Sequence, residues 1–523
     1  MVSKCGLSAR KGPWAQVCAW LSANEPIQES SGSQFAEEHS RESKVYYAAL
    51  LIVLAALLVP IWTVTYPGML DYPNHLTRCY ILAHYHDNPV WQQRFVVVYD
   101  PTPNLAIDLI VVPLLRLLPL IVCGKLFLSL AAALYVAGCS AVGRAITGKP
   151  NWLALVCSFT FYNSALLTGY VNYIFGVGVF LCAFAYWLRV RNAMTPLSIF
   201  LCCLLSIAAF LAHLSSIAIL GVACVTIALL DFIRDRRIPR LLVKIAWLVC
   251  PMLLLSGFMK GNGKIGTIEW GTAGEKMATF LWPVRSYSIA ADLVVIVMLL
   301  ACALAMRKGC KVHNTAVAGL LLFGLFLITP HILFTSCAAD ERYVVPGYLL
   351  LILSIELRWG RRAKIAVAVA VAAMALHVGS IMANWHTISQ RSEQVLAMGK
   401  VLPAGARVYV FQPRFDISIK RDRGFFHLIE FWTISRGADV SMLFTVPGQQ
   451  PLLRRHPVCD NKEWTTCIAS FDYIWTYDPP ASLRQGISRI ASAADTWDKV
   501  TLWRVNRAEA SSLYGSADAI SHY

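Results

Sequence analysis

The sequence predicts a polytopic α-helical membrane protein with about eleven transmembrane helices and a C-terminal soluble α/β domain. Apolar residues make up 57% of the 523 residues, and the mean hydropathy is +0.56. Only 15% of the residues are charged, whereas roughly a quarter are charged in a soluble protein. Long apolar runs recur between residues 45 and 382, which a water-soluble protein does not tolerate.

The predicted membrane domain, residues 45–383, follows a polar leader over residues 1–44. The leader has no basic-then-apolar signal and no evident cleavage site, so we expect a flexible cytoplasmic segment and an uncleaved first span. The remaining spans are apolar runs of about the length that crosses a hydrocarbon core. The predicted spans lie near residues 45–65, 121–142, 152–168, 170–188, 197–214, 216–232, 241–258, 290–306, 314–331, 344–357 and 364–383.

The Lys and Arg residues between the runs predict the side of the membrane on which each loop lies. If the leader is inside, the inner loops are basic, above all residues 234–240, whereas the outer turns near Gly169 and Ser215 contain no Lys or Arg. An odd number of spans then places the tail, residues 384–523, outside a plasma (inner) membrane. We attribute the net charge of +16 to the Lys and Arg residues of the inner loops. We expect no nucleic-acid partner, because no nucleic-acid motif accompanies this charge.

The tail alternates apolar and polar residues as a soluble domain does. Three segments predict strands separated by Pro, Gly and Asp turns, so we expect a small extracytoplasmic α/β domain. Cys459 and Cys467 lie in a polar loop of this tail. They can close a disulfide in an oxidising compartment or remain thiols in the cytosol. The predicted strands are residues 406–412, 471–477 and 499–505.

The first outer loop, residues 66–120, is too polar to span the membrane and too aromatic to be a plain linker. Its last part is apolar but carries Asp108, Pro113 and Arg116. An apolar stretch of fewer than about 17 residues is too short to cross a bilayer. We therefore expect an interfacial or re-entrant helix here.

A cluster of polar side chains directly follows the first span. On a helix, Asp71, His75 and Arg78 share one face through i, i+4 and i+7 spacing. Asn74 lies beside them. A carboxylate, an imidazole and a guanidinium on one face can deprotonate a hydroxyl and bind a phosphate. The alternative is that Asp71 caps the helix and the other two side chains are solvated among lipid headgroups.

Further candidates lie later in this loop. Asp100 and Asn104 flank a Pro-rich turn, which forms either the floor of an outward-facing site or a simple capped turn. Asp108 lies within the apolar stretch, where an unpaired carboxylate would become neutral.

Other candidates lie near outer span ends. Glu341 and Arg342 form either part of a site or a local ion pair with their neighbour Asp340. His213 is either a ligand-binding residue or a packed, hydrogen-bonded histidine. Tyr170 and its neighbours are typical of the aromatic belt of a membrane protein. The Gly-rich loop over residues 259–289 is either a mobile lid or an ordinary connector.

Absent motifs narrow the function classes. The chain has no phosphate-binding GxxxxGK[ST] segment, no GxSxG and no HExxH. No internal repeat is visible, which weakens a secondary-transporter hypothesis. A lipid or polysaccharide transporter and a non-catalytic membrane scaffold remain as alternatives to an enzyme.

The segment MLDYPNHLTR and the order of elements from about residue 45 to the end resemble the GT-C-fold membrane glycosyltransferases. In that superfamily an acidic motif follows the first span, interfacial helices come next, and a soluble outer domain often closes the chain. Members such as the lipid A aminoarabinose transferase and the protein O-mannosyltransferases take a sugar from a polyprenyl-phosphate carrier. Asp71 matches the acidic position.

The resemblance implies an inverting sugar transfer, with a lipid-linked sugar donor, a glycan or lipid acceptor, and membrane lipids as partners. Asp71 would take or orient the proton of the acceptor hydroxyl, and Asp100 or Asp108 would fill a second acidic position. Arg78 or Arg342 would stabilise the leaving phosphate. Because no acid adjoins Asp71, participation of a divalent metal is left open. The remaining substrate-binding candidates are His75, Asn104, His213 and Glu341.

Overall fold

A computed structural model describes residues 34–100, 102–261, 267–334, 336–411, 425–456 and 468–514. Most of the predicted leader lies outside these residues, as do Cys459 and Cys467. The first helix already begins at Gln34, within the predicted leader, and ends at Trp62.

Apolar helices dominate the chain up to residue 397, as the composition predicts. Shorter helices lie between them. The helices are α1 (Gln34–Trp62), α2 (Tyr72–Ala83), α3 (Pro89–Arg94), α4 (Ala106–Leu114), α5 (Leu120–Thr147), α6 (Leu153–Phe159), α7 (Ser164–Thr168), α8 (Val171–Val190), α9 (Pro196–Ala212), α10 (Leu214–Asp235), α11 (Ile238–Ile245), α12 (Val249–Gly261), α13 (Ala273–Thr279), α14 (Ile289–Met306), α15 (Ala316–Ile328), α16 (Val344–Leu353) and α17 (Arg361–Ala397).

Seven helical segments in the described part of the chain are long and apolar enough to cross a membrane. The chain is therefore a multi-helix membrane protein. Three further apolar helices are shorter, with 10–17 residues. The seven segments are Arg41–Trp62, Leu120–Thr147, Val171–Val190, Leu214–Asp235, Ile238–Gly257, Ile289–Met306 and Arg361–Val401, and the shorter ones are Leu153–Thr168, Pro196–Ala212 and Ala316–Ile328.

The prediction for residues 344–357 is wrong in length. The helix α16 has only 10 residues, and the chain then forms a strand, β5 (Ile355–Leu357). This strand pairs antiparallel with β3 (Cys310–Val312). The inter-strand hydrogen bonds satisfy the backbone there and end the helix. By length alone, the predicted count of about eleven spans is therefore not reached.

Close helix packing is clearest between α5 and α8. A Cβ atom added to Gly138 would lie 2.5 Å from Cβ of Leu181, and one added to Gly178 would lie 2.9 Å from Cβ of Leu134. Because these positions lack side chains, the two backbones approach closely, as small residues allow between membrane helices. This pair forms a scaffold beneath the first outer loop, since α4 packs against both helices.

The first outer loop folds into α2, α3, a strand β1 (Phe95–Val97) and α4. The short helix expected in its last part is confirmed, because α4 has 9 residues and contains Pro113 near its end. Its position at a membrane interface stays a prediction.

The tail contains a five-stranded mixed sheet in the order β10-β11-β9-β6-β7. The three strands predicted from the sequence are confirmed as β6, β9 and β11. Strand β6 is parallel to β7 and β9, and the remaining pairs are antiparallel. The tail elements are β6 (Arg407–Phe411), α18 (Phe425–Leu428), α19 (Phe431–Arg436), β7 (Asp439–Val440), β8 (Leu452–Arg454), β9 (Tyr473–Tyr477), α20 (Ala481–Ser488), β10 (Ala491–Trp497), β11 (Val500–Val505) and α21 (Arg507–Tyr514).

The tail is joined to the first outer loop by backbone pairing. Strand β8 pairs antiparallel with β1, with Val96 opposite Leu453. Arg94 donates hydrogen bonds to the carbonyl oxygens of Gly437 and Gly405, at 2.8 and 3.3 Å. Helix α17 runs without a break through residue 384, the predicted start of the tail. These connections place the tail against the segment that contains the predicted site.

Candidate functional site

The backbone at the start of α2 is fixed by the turn between α7 and α8. The N–H of Asp71 donates to the carbonyl oxygen of Thr168 at 3.0 Å, and the N–H of Leu70 donates to that of Leu167 at 3.2 Å. Gly169 follows with a φ of +94°, and a Cβ there would lie 2.5 Å from the backbone nitrogen of Asp71. Both the left-handed backbone and the close contact require glycine at this position.

Asp71 occupies the N-cap position of α2, but its side chain accepts no capping hydrogen bond. Capping therefore does not explain this carboxylate. Its side chain is 15% exposed, and Oδ1 lies 3.5 Å from Nε2 of His427 in the tail. Burial raises the pKa of Asp71 to about 7. A carboxylate with such a pKa is matched to general-base chemistry near neutral pH.

The protonation of His427 follows from its contact with Asn74. The Asn74 amide nitrogen donates to Nδ1 of His427 at 2.9 Å and to the carbonyl oxygen of Met442 at 2.7 Å. The Asn74 amide oxygen accepts from the N–H of Phe444 at 2.8 Å, which fixes the amide orientation. Burial lowers the pKa of His427 to about 4. The neutral ring therefore carries its proton on Nε2, facing Asp71.

Arg78 and Asp108 form a buried, bidentate ion pair. Nε and Nη2 of Arg78 donate to the two carboxylate oxygens at 2.9 and 2.8 Å, and the side chains are 1% and 0% exposed. Nη1 of Arg78 lies 3.2 Å from Nδ1 of His75. Burial and the nearby Arg78 charge lower the pKa of His75 well below its usual value. The predicted shared face thus separates into two contacts: Asp71 faces His427, and His75 faces Arg78.

A second polar group lies at residues 331–342. Oδ2 of Asp340 accepts from Lys276 at 2.9 Å, and Oδ1 lies 3.1 Å from Nδ1 of His331. Lys276 belongs to α13, and it also donates to the carbonyl oxygens of Phe326 and Thr329. The described part of the predicted lid or connector is therefore attached to this group through a partly buried lysine.

The local ion-pair alternative for residues 340–342 is not what the structure shows. Asp340 pairs with Lys276 and His331, whereas Arg342 donates to Oγ of Ser336 at 2.5 Å and to the carbonyl oxygen of Cys337 at 3.1 Å. Nε of Arg342 is buried and has no hydrogen-bond partner among the described residues.

Glu341 is a second carboxyl group with a displaced pKa. Its residue is 2% exposed, and Oε1 accepts from Oγ1 of Thr279 at 3.4 Å. Oε2 is buried without a hydrogen-bond partner in the described part of the chain. Burial raises the pKa of Glu341 to about 7.

Tyr170 links the two groups. The guanidinium of Arg342 lies 5.5 Å from the centre of its ring. Burial raises the pKa of Tyr170, as do the nearby Cys337, Asp71 and Glu341. The sequence predicts an aromatic-belt residue at this position, because spacing alone cannot show that charged groups surround it. Asp71 and Arg342, which are distant in the sequence, therefore both act electrostatically on Tyr170.

His213 has the structural role that the sequence left open. It is the N-cap residue of α10, its Nδ1 accepts from the N–H of Ser215 at 3.0 Å, and its ring packs edge-on against Tyr173. The hydroxyl of Tyr173 in turn donates to the carbonyl oxygen of Arg342 at 2.8 Å. His213 thus supports the segment that carries Arg342.

Asp100 and Asn104 are not brought to Asp71 by any contact of the described residues. Asp100 is exposed. Asn104 has a φ of +72°, and its carbonyl oxygen accepts from the side-chain amide of Asn172. Both features are those of a turn that leads into α4.

Among the residues that the structure describes, no group of three or more His, Cys, Asp or Glu side chains is arranged to hold a metal ion.

The helical membrane part, the acidic first outer loop and the mixed-sheet tail have the arrangement of the GT-C fold, so the predicted resemblance is confirmed. The structure is similar to that of ArnT from Cupriavidus metallidurans bound to undecaprenyl phosphate, with a TM-score of 0.50 and 12% identity over 89% of this chain and 98% of that chain. ArnT in the apo state matches with a TM-score of 0.49 and 12% identity, over 92% and 99% of the two chains. No family model and no curated protein matches the sequence. The similarity establishes an ArnT-like fold.

Replacing Asp108 with Asn should strongly destabilise the protein, because Arg78 would remain buried beside a neutral amide. Breaking a buried ion pair costs about 3–5 kcal/mol. A thermal melt of the detergent-purified variant measures this loss. Asp87→Asn is the matched control, since Asp87 pairs with Arg116 in the same loop but both side chains are about half exposed. We expect the control to melt like the wild type; an equal shift in both variants would contradict the prediction.

Proposed function

We propose that the protein is a membrane glycosyltransferase that moves a sugar from a polyprenyl-phosphate carrier to an acceptor. The observation that carries this proposal is the Asp71 carboxylate, which is fixed through its backbone, lies beside a neutral imidazole and has a pKa of about 7. The similar ArnT structure is described as bound to undecaprenyl phosphate. The lipid tail of such a donor lies in the membrane, so an enzyme that uses it needs an ionisable site next to membrane helices.

The reaction we propose is a single inverting displacement. The acceptor O–H transfers its proton to the Asp71 carboxylate as the oxygen attacks the anomeric carbon. The bond between that carbon and the phosphate oxygen breaks, and its electron pair leaves with the polyprenyl phosphate. Nε2 of His427 lies 3.5 Å from Oδ1 of Asp71, so a neutral imidazole borders the carboxylate that takes the proton.

Arg342 is better placed than Arg78 to stabilise the leaving phosphate. Two nitrogens of Arg78 are occupied by Asp108, and the third contacts His75. The guanidinium of Arg342 lies over the ring of Tyr170, whose pKa the Asp71 charge raises. Nε of Arg342 has no hydrogen-bond partner among the described residues. Positive charge near the departing oxygen lowers the barrier to displacement. We assign Asp108 a positioning role, because its carboxylate is fully used in holding Arg78.

The same proposal includes the sidedness derived from the loop charges. The site and the tail lie on the outer face of the plasma (inner) membrane, and the basic residues 234–240 lie inside. The acceptor would then be a glycan or lipid that is exposed on that face.

Replacing Asp71 with Asn should lower the rate of sugar transfer by about 10²–10⁴-fold, the usual contribution of a general base. The measurement is transfer of radiolabelled sugar from a polyprenyl-phosphate donor by purified protein. Asp87→Asn is the control, because Asp87 is an exposed acid of the same loop. Wild-type turnover in the Asp71 variant would rule out the base. Carrier flux across sealed vesicles without sugar transfer would favour a transporter instead.

The transfer rate should rise with pH and level off above neutrality, because only the ionised form of Asp71 accepts a proton. With a pKa of about 7, the rate at pH 5 should be roughly one hundredth of the plateau. A pH–rate profile of kcat/KM measures the midpoint. Glu341 has a similar pKa, so Glu341→Gln distinguishes the two carboxyl groups. The midpoint should stay near 7 in that variant. If the midpoint disappears, Glu341 and not Asp71 is the general base.

Two exposed cysteines test the sidedness. Cys337 lies in the proposed outer group, and Cys310 lies in the basic loop after α14, which we place inside. A membrane-impermeant maleimide applied to right-side-out vesicles should label Cys337 and spare Cys310, as read by peptide mass spectrometry. Permeabilised vesicles are the control and should show both labels. Labelling of Cys310 in sealed vesicles would overturn the topology.

A further inference from the structure

The side chains of Cys337, His331 and Asp340 contact one another in succession, and the proposed transfer reaction assigns them no role. The sulfur of Cys337 lies 3.9 Å from Nε2 of His331, within hydrogen-bond range for sulfur. The other ring nitrogen, Nδ1, lies 3.1 Å from Oδ1 of Asp340. A thiol, an imidazole and a carboxylate in this order are the components of an activated nucleophile.

Burial increases from the thiol to the carboxylate. Cys337 is exposed, the side chain of His331 is 12% exposed, and that of Asp340 is 2% exposed. The reactive atom is therefore accessible while the group that orients the ring is protected. Lys276 holds the second oxygen of Asp340 at 2.9 Å, which leaves the first oxygen directed at the ring.

The imidazole of His331 is positively charged at neutral pH. Hydrogen bonds to Asp340 and Cys337 raise the pKa of His331 to about 10. The ring is therefore an imidazolium at neutral pH, and its positive charge lies beside the sulfur. Nε2 of this ring lies 3.9 Å from the Cys337 sulfur, and a cationic imidazole is a common neighbour of reactive cysteines.

The backbone presents the thiol in a fixed position. The carbonyl oxygen of Cys337 accepts a hydrogen bond from Nη2 of Arg342 at 3.1 Å. The next residue, Ala338, has a φ of +56°, and its side chain is buried. The side chain of Cys337 projects from a short turn held at both ends, by β4 (Ile332–Phe334) before it and by Asp340 after it.

We propose that Cys337 is a nucleophilic cysteine, activated by His331 and Asp340, that takes low-molecular-weight disulfides and other soft electrophiles. The proposed glycosyl transfer assigns no step to the Cys337 thiol, although the Cys337 carbonyl oxygen accepts a hydrogen bond from Arg342.

The exchange with a disulfide balances without another reactant. The Cys337 thiolate attacks one sulfur of the disulfide, a new S–S bond forms, and the old S–S bond breaks. The leaving thiolate takes the proton that His331 holds, so the products are a mixed disulfide and a free thiol. With a haloacetamide, an S–C bond forms and the halide leaves.

The chain contains a matched reference thiol. Cys310 is also exposed, and its sulfur donates to the carbonyl oxygen of Arg307 at 3.5 Å instead of contacting an imidazole. Full-length protein in detergent is treated with limiting iodoacetamide at pH 7, and peptide mass spectrometry follows both cysteines in one sample. We expect Cys337 to react at least about tenfold faster than Cys310. Equal rates in the wild-type protein would overturn the proposal without any variant.

Two variants test the activating groups. His331→Gln should bring the Cys337 rate down to within about twofold of Cys310, since the imidazolium is lost. His313→Gln should leave that rate unchanged, because His313 pairs with Glu356 elsewhere in the chain. An unchanged Cys337 rate in His331→Gln would also overturn the proposal. Oxidised glutathione should add a glutathionyl group to Cys337 that dithiothreitol removes, and failure to form this adduct would exclude disulfides as partners.

Discussion

The buried ion pair between Arg78 and Asp108 is the constraint on which the site depends. Taking two charges out of water is costly, and the cost is offset only when the geometry is bidentate and the remaining polar atoms are satisfied. Both conditions hold here, because both carboxylate oxygens are used and the third guanidinium nitrogen contacts His75. The pair fixes the rotation of α2 relative to α4. That rotation decides where the first residue of α2, and with it Asp71, must lie.

The site is assembled from segments that are distant in the sequence. The turn at Gly169 holds the backbone of Asp71, and the tail contributes His427. The guanidinium of Arg342 lies over the ring of Tyr170. None of these contacts is made by neighbouring residues of one helix. Three separate parts of the chain therefore determine where Asp71 lies, and its backbone is held by hydrogen bonds.

Local patterns predicted more of the fold than of the site. Hydrophobic runs identify most of the apolar helices, and alternation identifies the strands β6, β9 and β11, because both signals depend on neighbouring residues. The ends of helices were less predictable, since α16 stops where β5 pairs with β3. Asp71 was identifiable from its place after the first span. His427 was not, because no local pattern distinguishes it from the other histidines of the tail and its partner lies far away in the sequence.

The contact between Asn74 and His427 joins residues that are 353 positions apart. During synthesis, at about 5–20 residues per second, the later residue would emerge on the order of 20–70 s after the earlier one. The loop that carries Asp71 therefore lacks its contact with His427 until most of the chain has been synthesised. If the proposed function is right, no sugar transfer can occur until the tail has been synthesised and has folded against this loop. A prematurely terminated chain would carry the acid without its imidazole partner.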